Sequence, residues 1–377
     1  MSEHGRTRCS ILPLATLVAL TLPMALPASL HAQQAETFRL AGDEVAVYNL
    51  AGKVQVRGGS GSEFAVTVTL RGSDAGRLAV QTGRVDTGQS GFGSVTSLRV
   101  VYPRETIVYT DGNGSAEVRV RPDGTFFGGY DEDRDEGRKI RIRNSGSGVK
   151  AHADLDITVP NGRALYLALA TGEVRIENVE GRLFVDVASA DIRSTGGKGD
   201  FVFDTGSGDV EVLGHEGGLV CDTGSGDVQV DRVEGGELTF DTGSGNVSGG
   251  SIRANRLVAD TGSGDVELDR VRADRITADT GSGNVDLELL ISPSDILVDV
   301  GSGDVRIRVP DSFGATVEID TGSGGIHTGL PIQVREIDDD RLRGTIGDGS
   351  GRHRGLPAFR RRSRDPRRVG GLSLIHI

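Results

Sequence analysis

Asp-Thr-Gly-Ser-Gly begins at Asp204, Asp222, Asp241, Asp260, Asp279 and Asp320, with a variant Asp-Val-Gly-Ser-Gly at Asp299 and degenerate copies at Asp186 and Ala168. From Ala168 onward the starts lie 18 to 21 residues apart. A fixed period of this size marks a solenoid, because one unit is too short to bury its own apolar face and must stack on the next. Helical repeats need units of about 33 residues or more, which excludes the ankyrin and tetratricopeptide classes. Hexapeptide solenoids also use 18 residues per coil, but no sixfold sub-repeat is present within these coils.

Aligning the copies shows which side chains meet. Three residues before each Asp stand Leu183, Phe201, Leu219, Leu238, Leu257, Ile276, Ile296 and Val317. One residue before stand Val185, Phe203, Cys221, Phe240, Ala259, Ala278, Val298 and Ile319, and the column between is mixed. That period-2 alternation predicts a half-buried strand. Six residues after each Asp comes Ile192, Val210, Val228, Val247, Val266, Val285, Val305 and Ile326, a β-branched column that predicts a second strand. Each coil is therefore read as two strands, joined by Thr-Gly-Ser-Gly on one side and a variable connector on the other. The turn glycines are expected to supply positive φ. At the β-ladder spacing of about 4.8 Å, eight or nine coils extend roughly 40 Å. The fold class is all-β: a parallel β-solenoid with 18–21-residue coils and an irregular, β-rich N-terminal part.

That N-terminal part, residues 33–164, alternates at Val45/Val47, Val54/Val56, Val66/Val68/Leu70 and Leu155/Ile157/Val159, and is read as opening coils or a cap of the same solenoid, with a separate small β-domain as the alternative. Arg121 to Lys139, polar and acidic, is expected to be a mobile loop. Residues 165–351 form the regular repeat domain. Residues 1–32, with Arg6 and Arg8 before an apolar run and Leu30-His31-Ala32 at the end, read as a signal peptide, a buried first helix being the alternative. No later apolar run is long enough for a membrane span. Residues 352–377 carry eight Arg and one Asp and abandon every column, so they are read as a non-native or disordered basic tail. Without both ends, 32 basic and 52 acidic residues remain, a net charge of −20 that opposes nucleic acid and anionic lipid.

The chemistry-bearing motifs are sparse. Asp-Thr-Gly-Ser is the local signature of pepsin-like aspartic proteases, whose mechanism needs two such carboxylates sharing one proton. Six intact copies at coil spacing instead place the aspartates in a row along one turn edge. Like charges so stacked need relief, from calcium or from turn amides bonding each carboxylate in an Asx arrangement. A second polar column, Asp191, Asp209, Asp227, Asn246, Asp265, Asn284, Asp304 and Gly325, replaces Asp with Asn or Gly and so suits a turn position better than a required charge. Polysaccharide-cleaving β-helices carry paired carboxylates on coil faces, but these connectors are short. With Cys9 in the leader, the mature chain has one cysteine, Cys221, and hence no intramolecular disulfide. His152, His215 and His327 lie far apart and are read as surface residues rather than metal ligands. No catalytic, cofactor-binding or metal residue is assigned. The connector edge, including Arg232, Glu234, Glu237, Arg253, Arg256, Arg270, Arg272, Asp274 and Arg275, reads as a solvated turn edge or a partner-binding surface.

The recurrent Asp-Thr-Gly-Ser-Gly-Asp/Asn-Val coil, together with the opening Glu36-Thr-Phe-Arg-Leu-Ala-Gly-Asp-Glu-Val-Ala-Val-Tyr-Asn-Leu-Ala-Gly-Lys-Val-Gln-Val56, resembles the bacterial adhesin-labelled family of β-strand-repeat proteins, a domain of unknown function. The resemblance covers about residues 36–350. It implies an extracytoplasmic β-solenoid, in the periplasm, at the cell surface or secreted, with no established catalytic residues. The expected function is non-catalytic binding of a macromolecular surface, protein or glycan, without cofactor, nucleic acid or membrane span. Alternatives are an envelope-associated scaffold or stress module that binds another protein, and a carbohydrate-active enzyme.

Overall fold

The structure, a computed structural model, describes residues 35–349 apart from 104–105, 113–114, 128–136, 321–324 and 339–340, together with the backbone of 351–352 and 372–376. The described strands all fall in one compact unit, Gln34–Ile377. The leader expected over residues 1–32 and residues 353–371 of the tail lie outside the described residues.

The chain forms a parallel β-solenoid of about 8 turns with coils of about 19 residues. Parallel pairing holds the repeat in strict register: Leu219 lies beside Leu238, Leu238 beside Leu257 and Leu257 beside Ile276. Register of this kind puts every side chain against its own counterpart one period away, so a column must be uniformly apolar to be buried. All three apolar columns point inward: Leu238, Phe240 and Val247 are fully buried, as are their equivalents in the neighbouring coils. Cys221 fills the gap between Phe203 and Phe240 in its column, and burial pushes its thiol well above the usual range.

The coil has three sides, not two. In Val247–Thr261 the chain runs continuously through the connector, and connector residues pair with those of the next coil: Val233 beside Ile252, Glu234 beside Arg253, Arg253 beside Arg272. An inward column, His215, Val233, Ile252, Val271 and Leu289, lines this third side. His215 is therefore a core residue, 2% exposed, its ring 4.7 Å from that of Phe201 and its Nε2–H donating to the Gly218 carbonyl at 3.1 Å. Burial lowers its pKa, as it does for the half-buried His152; of the three, His327 alone is exposed.

The turn glycines have a different reason from the one expected. Gly226, Gly245, Gly264 and Gly283 lack a left-handed φ, but a Cβ on any of them would overlap the backbone carbonyl of the matching glycine one coil earlier. Coils stack so closely here that only hydrogen fits. The preceding threonines close the turn: Thr242, Thr261 and Thr280 are buried and donate to the carbonyls of Gly226, Gly245 and Gly264 at 2.8, 2.7 and 2.8 Å.

The spatial order of the first coils departs from sequence order. Glu44–Gly59 lies parallel to Arg163–Glu177, with Val45 beside Leu165 and Val54 beside Val174, so it is a repeat copy separated from the next by an excursion of about a hundred residues. On its other side, Ser94–Val101 and His152–Pro160 supply one more broken coil. Antiparallel strands then close the stack: Ala79–Asp86 on Ser94–Val101, and Phe64–Arg71 followed by Ala35–Leu40 on His152–Pro160. The excursion folds its aromatics over the first coils, with Phe126 5.7 Å from Tyr48 and Phe92 5.9 Å from Tyr166. The ends of the expected mobile loop are thus ordered: Phe126 is buried, and Arg138 opens the strand Arg138–Arg143. Residues 128–136 lie outside the described residues.

The regular ladder ends after Val305–Pro310. Ala315–Asp320, expected to be another stacked coil, instead pairs antiparallel with Arg341–Ile346, itself paired with Ile332–Ile337. Ile326 is correspondingly half-buried and outside any strand. Leu372–His376 lies antiparallel to Val305–Pro310.

Candidate functional site

The first outward feature is the Asp row. Asp204, Asp222, Asp241, Asp260, Asp279 and Asp299 are direct neighbours in the ladder, and Asp186 stands above Asp204. They occupy one column of one face, each on its own coil. Asp320, the expected last member, leaves the row and pairs with Arg341 at 2.8 Å.

The expected Asx bonds are absent from this column. Among the described residues, the carboxylates from Asp204 to Asp299 have neither a cationic partner nor a hydrogen bond from a turn amide. Loss of water between coils, and then like charge from the neighbouring coils, Asp222 alone in the case of Asp204, raises the pKa of Asp204, Asp241 and Asp279. Asp186 sits beside the buried Tyr166. Burial, and then the charge of Asp204, holds it up at about 7, although the Tyr166 hydroxyl donates to its Oδ2 at 3.2 Å.

The amide bonds belong to the second polar column. Asp209 Oδ1 accepts from the Asp227 N–H at 3.0 Å, Asp227 Oδ1 from Asn246 at 2.8 Å, Asn246 Oδ1 from Asp265 at 2.9 Å and Asp265 Oδ1 from Asn284 at 2.7 Å. Each side chain bonds the backbone of the next coil through one oxygen. An amide carbonyl does this as well as a carboxylate, which accounts for the Asn substitutions. Among the described residues no group of three or more His, Cys, Asp or Glu is placed to hold a metal ion.

The second outward feature lies on the third side and was only partly legible as a charged connector edge. A corner column, Asn178, Gly196, Gly214, Arg232, Ser251 and Arg270, takes left-handed φ throughout, from 51° to 71°. Gly and Asn adopt this conformation cheaply, whereas a residue with a longer side chain gives up about 1–2 kcal/mol. Where Gly196 and Gly214 leave no side chains and Arg232 and Arg270 stand out, the surface sinks into a groove of about 730 Å³. Lys198, Arg232, Arg253, Arg270 and Arg272 line it, against Glu216 and Glu234. The Arg270 guanidinium donates to Ser251 Oγ at 2.9 Å, and Arg232 lies 3.1 Å from Asp231. Arg253 pairs loosely with Glu234 at 3.8 Å, while Lys198 and Arg272 have no partner among the described residues. Outside the groove, Arg256 pairs with Glu237 at 3.7 Å. The 18 or 19-residue spacing of the corner column was the signal in the sequence, masked because its residues share no type.

A family model described as Toastrack DUF4097 matches residues 157–354, more than half of the chain. No curated protein matches it. Among the described residues, no helix is long and apolar enough to cross a membrane.

Proposed function

The chain belongs to the Toastrack DUF4097 family, and from that premise we propose that it is an extracytoplasmic, adhesin-type solenoid that binds a macromolecular surface without transforming it. The observation that carries this reading is the repetition of outward charge in register, above all the row from Asp204 to Asp299 that no described residue neutralises. Six equivalent groups at about 4.8 Å intervals offer many weak contacts in parallel, which gives avidity to a repetitive or extended partner. The aspartates of the protease-like motif favour the same reading, since they stand above one another on one face rather than facing each other across a cleft.

The test incubates the purified chain with cell-envelope fractions, polysaccharides and peptides while measuring retention and product release together. Retention without release is the expected result. Turnover that disappears on replacing one outward carboxylate would overturn the reading.

A further inference from the structure

Resting on that surface-binding reading, we propose that the groove on the third side is a binding site for a linear polysaccharide that carries carboxylates on some of its sugars, with uncharged hydroxyl-bearing sugars between. One outward column of the groove, in strict register, reads Lys198, Glu216, Glu234, Arg253 and Arg272. Cations thus flank two carboxylates at ladder spacing, and Arg232 and Arg270 lean in from the corner. An extended chain laid along the coils meets cationic donors at its charged sugars and carboxylate acceptors for its hydroxyls in the middle. Each guanidinium has five donors, so those of Arg232 and Arg270 used on Asp231 and Ser251 aim the arms and leave others for a ligand.

The backbone supplies an independent observation. Gly196 and Gly214 satisfy the left-handed corner without strain, yet two later coils hold Arg there, and both of these Arg line the groove. Strained residues that cluster in a concavity mark a place where the side chain is needed. A nucleic acid fits less well: a phosphate at every step would oppose Glu216 and Glu234, among the described residues no Phe or Tyr lines the groove to stack a base, and the acidic body repels a dense polyanion.

The experiment titrates the full chain with a hyaluronan octasaccharide, whose charged and neutral sugars alternate, at low and high salt. A neutral cello-oligosaccharide and a thymidylate dodecamer serve as comparisons. The decisive variant is Arg232→Gly/Arg270→Gly, because glycine relieves the corner and keeps the fold, so its melting temperature should hold or rise. The expected result is salt-sensitive binding of the octasaccharide that this variant weakens about tenfold or more, while Arg39→Gln, an exposed cation on the strand Ala35–Leu40 that does not line the groove, leaves it unchanged. The proposal falls if the octasaccharide fails to bind at low salt, if the double variant binds equally well, or if the dodecamer binds more tightly. It also falls if sedimentation shows salt-sensitive self-association that the double variant disperses, since the groove would then hold a second copy. Retention on envelope fractions without octasaccharide binding would sink this inference alone, whereas product release would sink the surface-binding reading.

Discussion

Replacing Asp186 with Asn should stabilise the protein at neutral and alkaline pH. The folded chain holds the Asp186 proton to about pH 7, against 3.8 for the unperturbed group, chiefly because burial removes water from the carboxylate. A raised acid destabilises the fold when ionised. The penalty is absent below the unfolded value, grows as pH rises towards the folded value and is constant above it. At 1.36 kcal/mol per unit the gap corresponds to about 4 kcal/mol, or about 2–4 kcal/mol with the solvent that reaches this half-buried side chain taken into account. Asn is isosteric, uncharged and still able to accept the Tyr166 hydroxyl through its amide oxygen. Equilibrium unfolding in guanidinium at about pH 3, 5 and 8 measures the effect. The two proteins should be equally stable at the lowest pH and diverge by about 1.4 kcal/mol per unit until the difference levels off near neutrality. The more distant aspartates titrate in both proteins and cancel, while Asp204, relieved of a like charge beside it, shifts the difference in the same direction. A variant no more stable than the parent at pH 8, or a difference independent of pH, would refute the burial argument.

Three further outcomes follow from the turn edge. Gly245→Ala should cost about 3 kcal/mol or more in chemical denaturation, because its methyl group meets the Gly226 carbonyl, while Ala at the exposed neighbouring Ser244 should be silent. Asn246→Ala should cost about 1–2 kcal/mol by leaving the Asp265 N–H without its acceptor, and Asn246→Asp should restore most of it; equal losses for the two would show that charge matters in this column. Stripping divalent ions with a chelator should leave the melting temperature and far-UV spectrum unchanged, since the inter-coil bonds here are made by side-chain oxygens to amides; a drop of many degrees would place calcium on the Asp edge.

Two layers of information separate in this molecule. The coil, its period and its inward columns were legible along the chain, because parallel stacking sets each residue against its counterpart one period away and so writes packing into the spacing of Leu238, Leu257 and Ile276. Asn246 and Asn284 likewise disclosed that their column needed an oxygen rather than a charge. Tertiary structure alone decided the rest, wherever a residue's partner is not its periodic counterpart. Val45 and Val54 belong to a coil whose neighbour lies beyond the long excursion, so no local period reveals it. Asp320 carries the intact motif yet leaves the row, because Arg341–Ile346 offers its strand an antiparallel partner. The turn glycines are needed for the carbonyl one coil earlier rather than for their own φ, and Asp186 differs from the other aspartates because it is more deeply buried, beside the Tyr166 hydroxyl. The groove arises from side chains missing at Gly196 and Gly214 and projecting at Arg232 and Arg270, a relief that forms only once the coils are stacked.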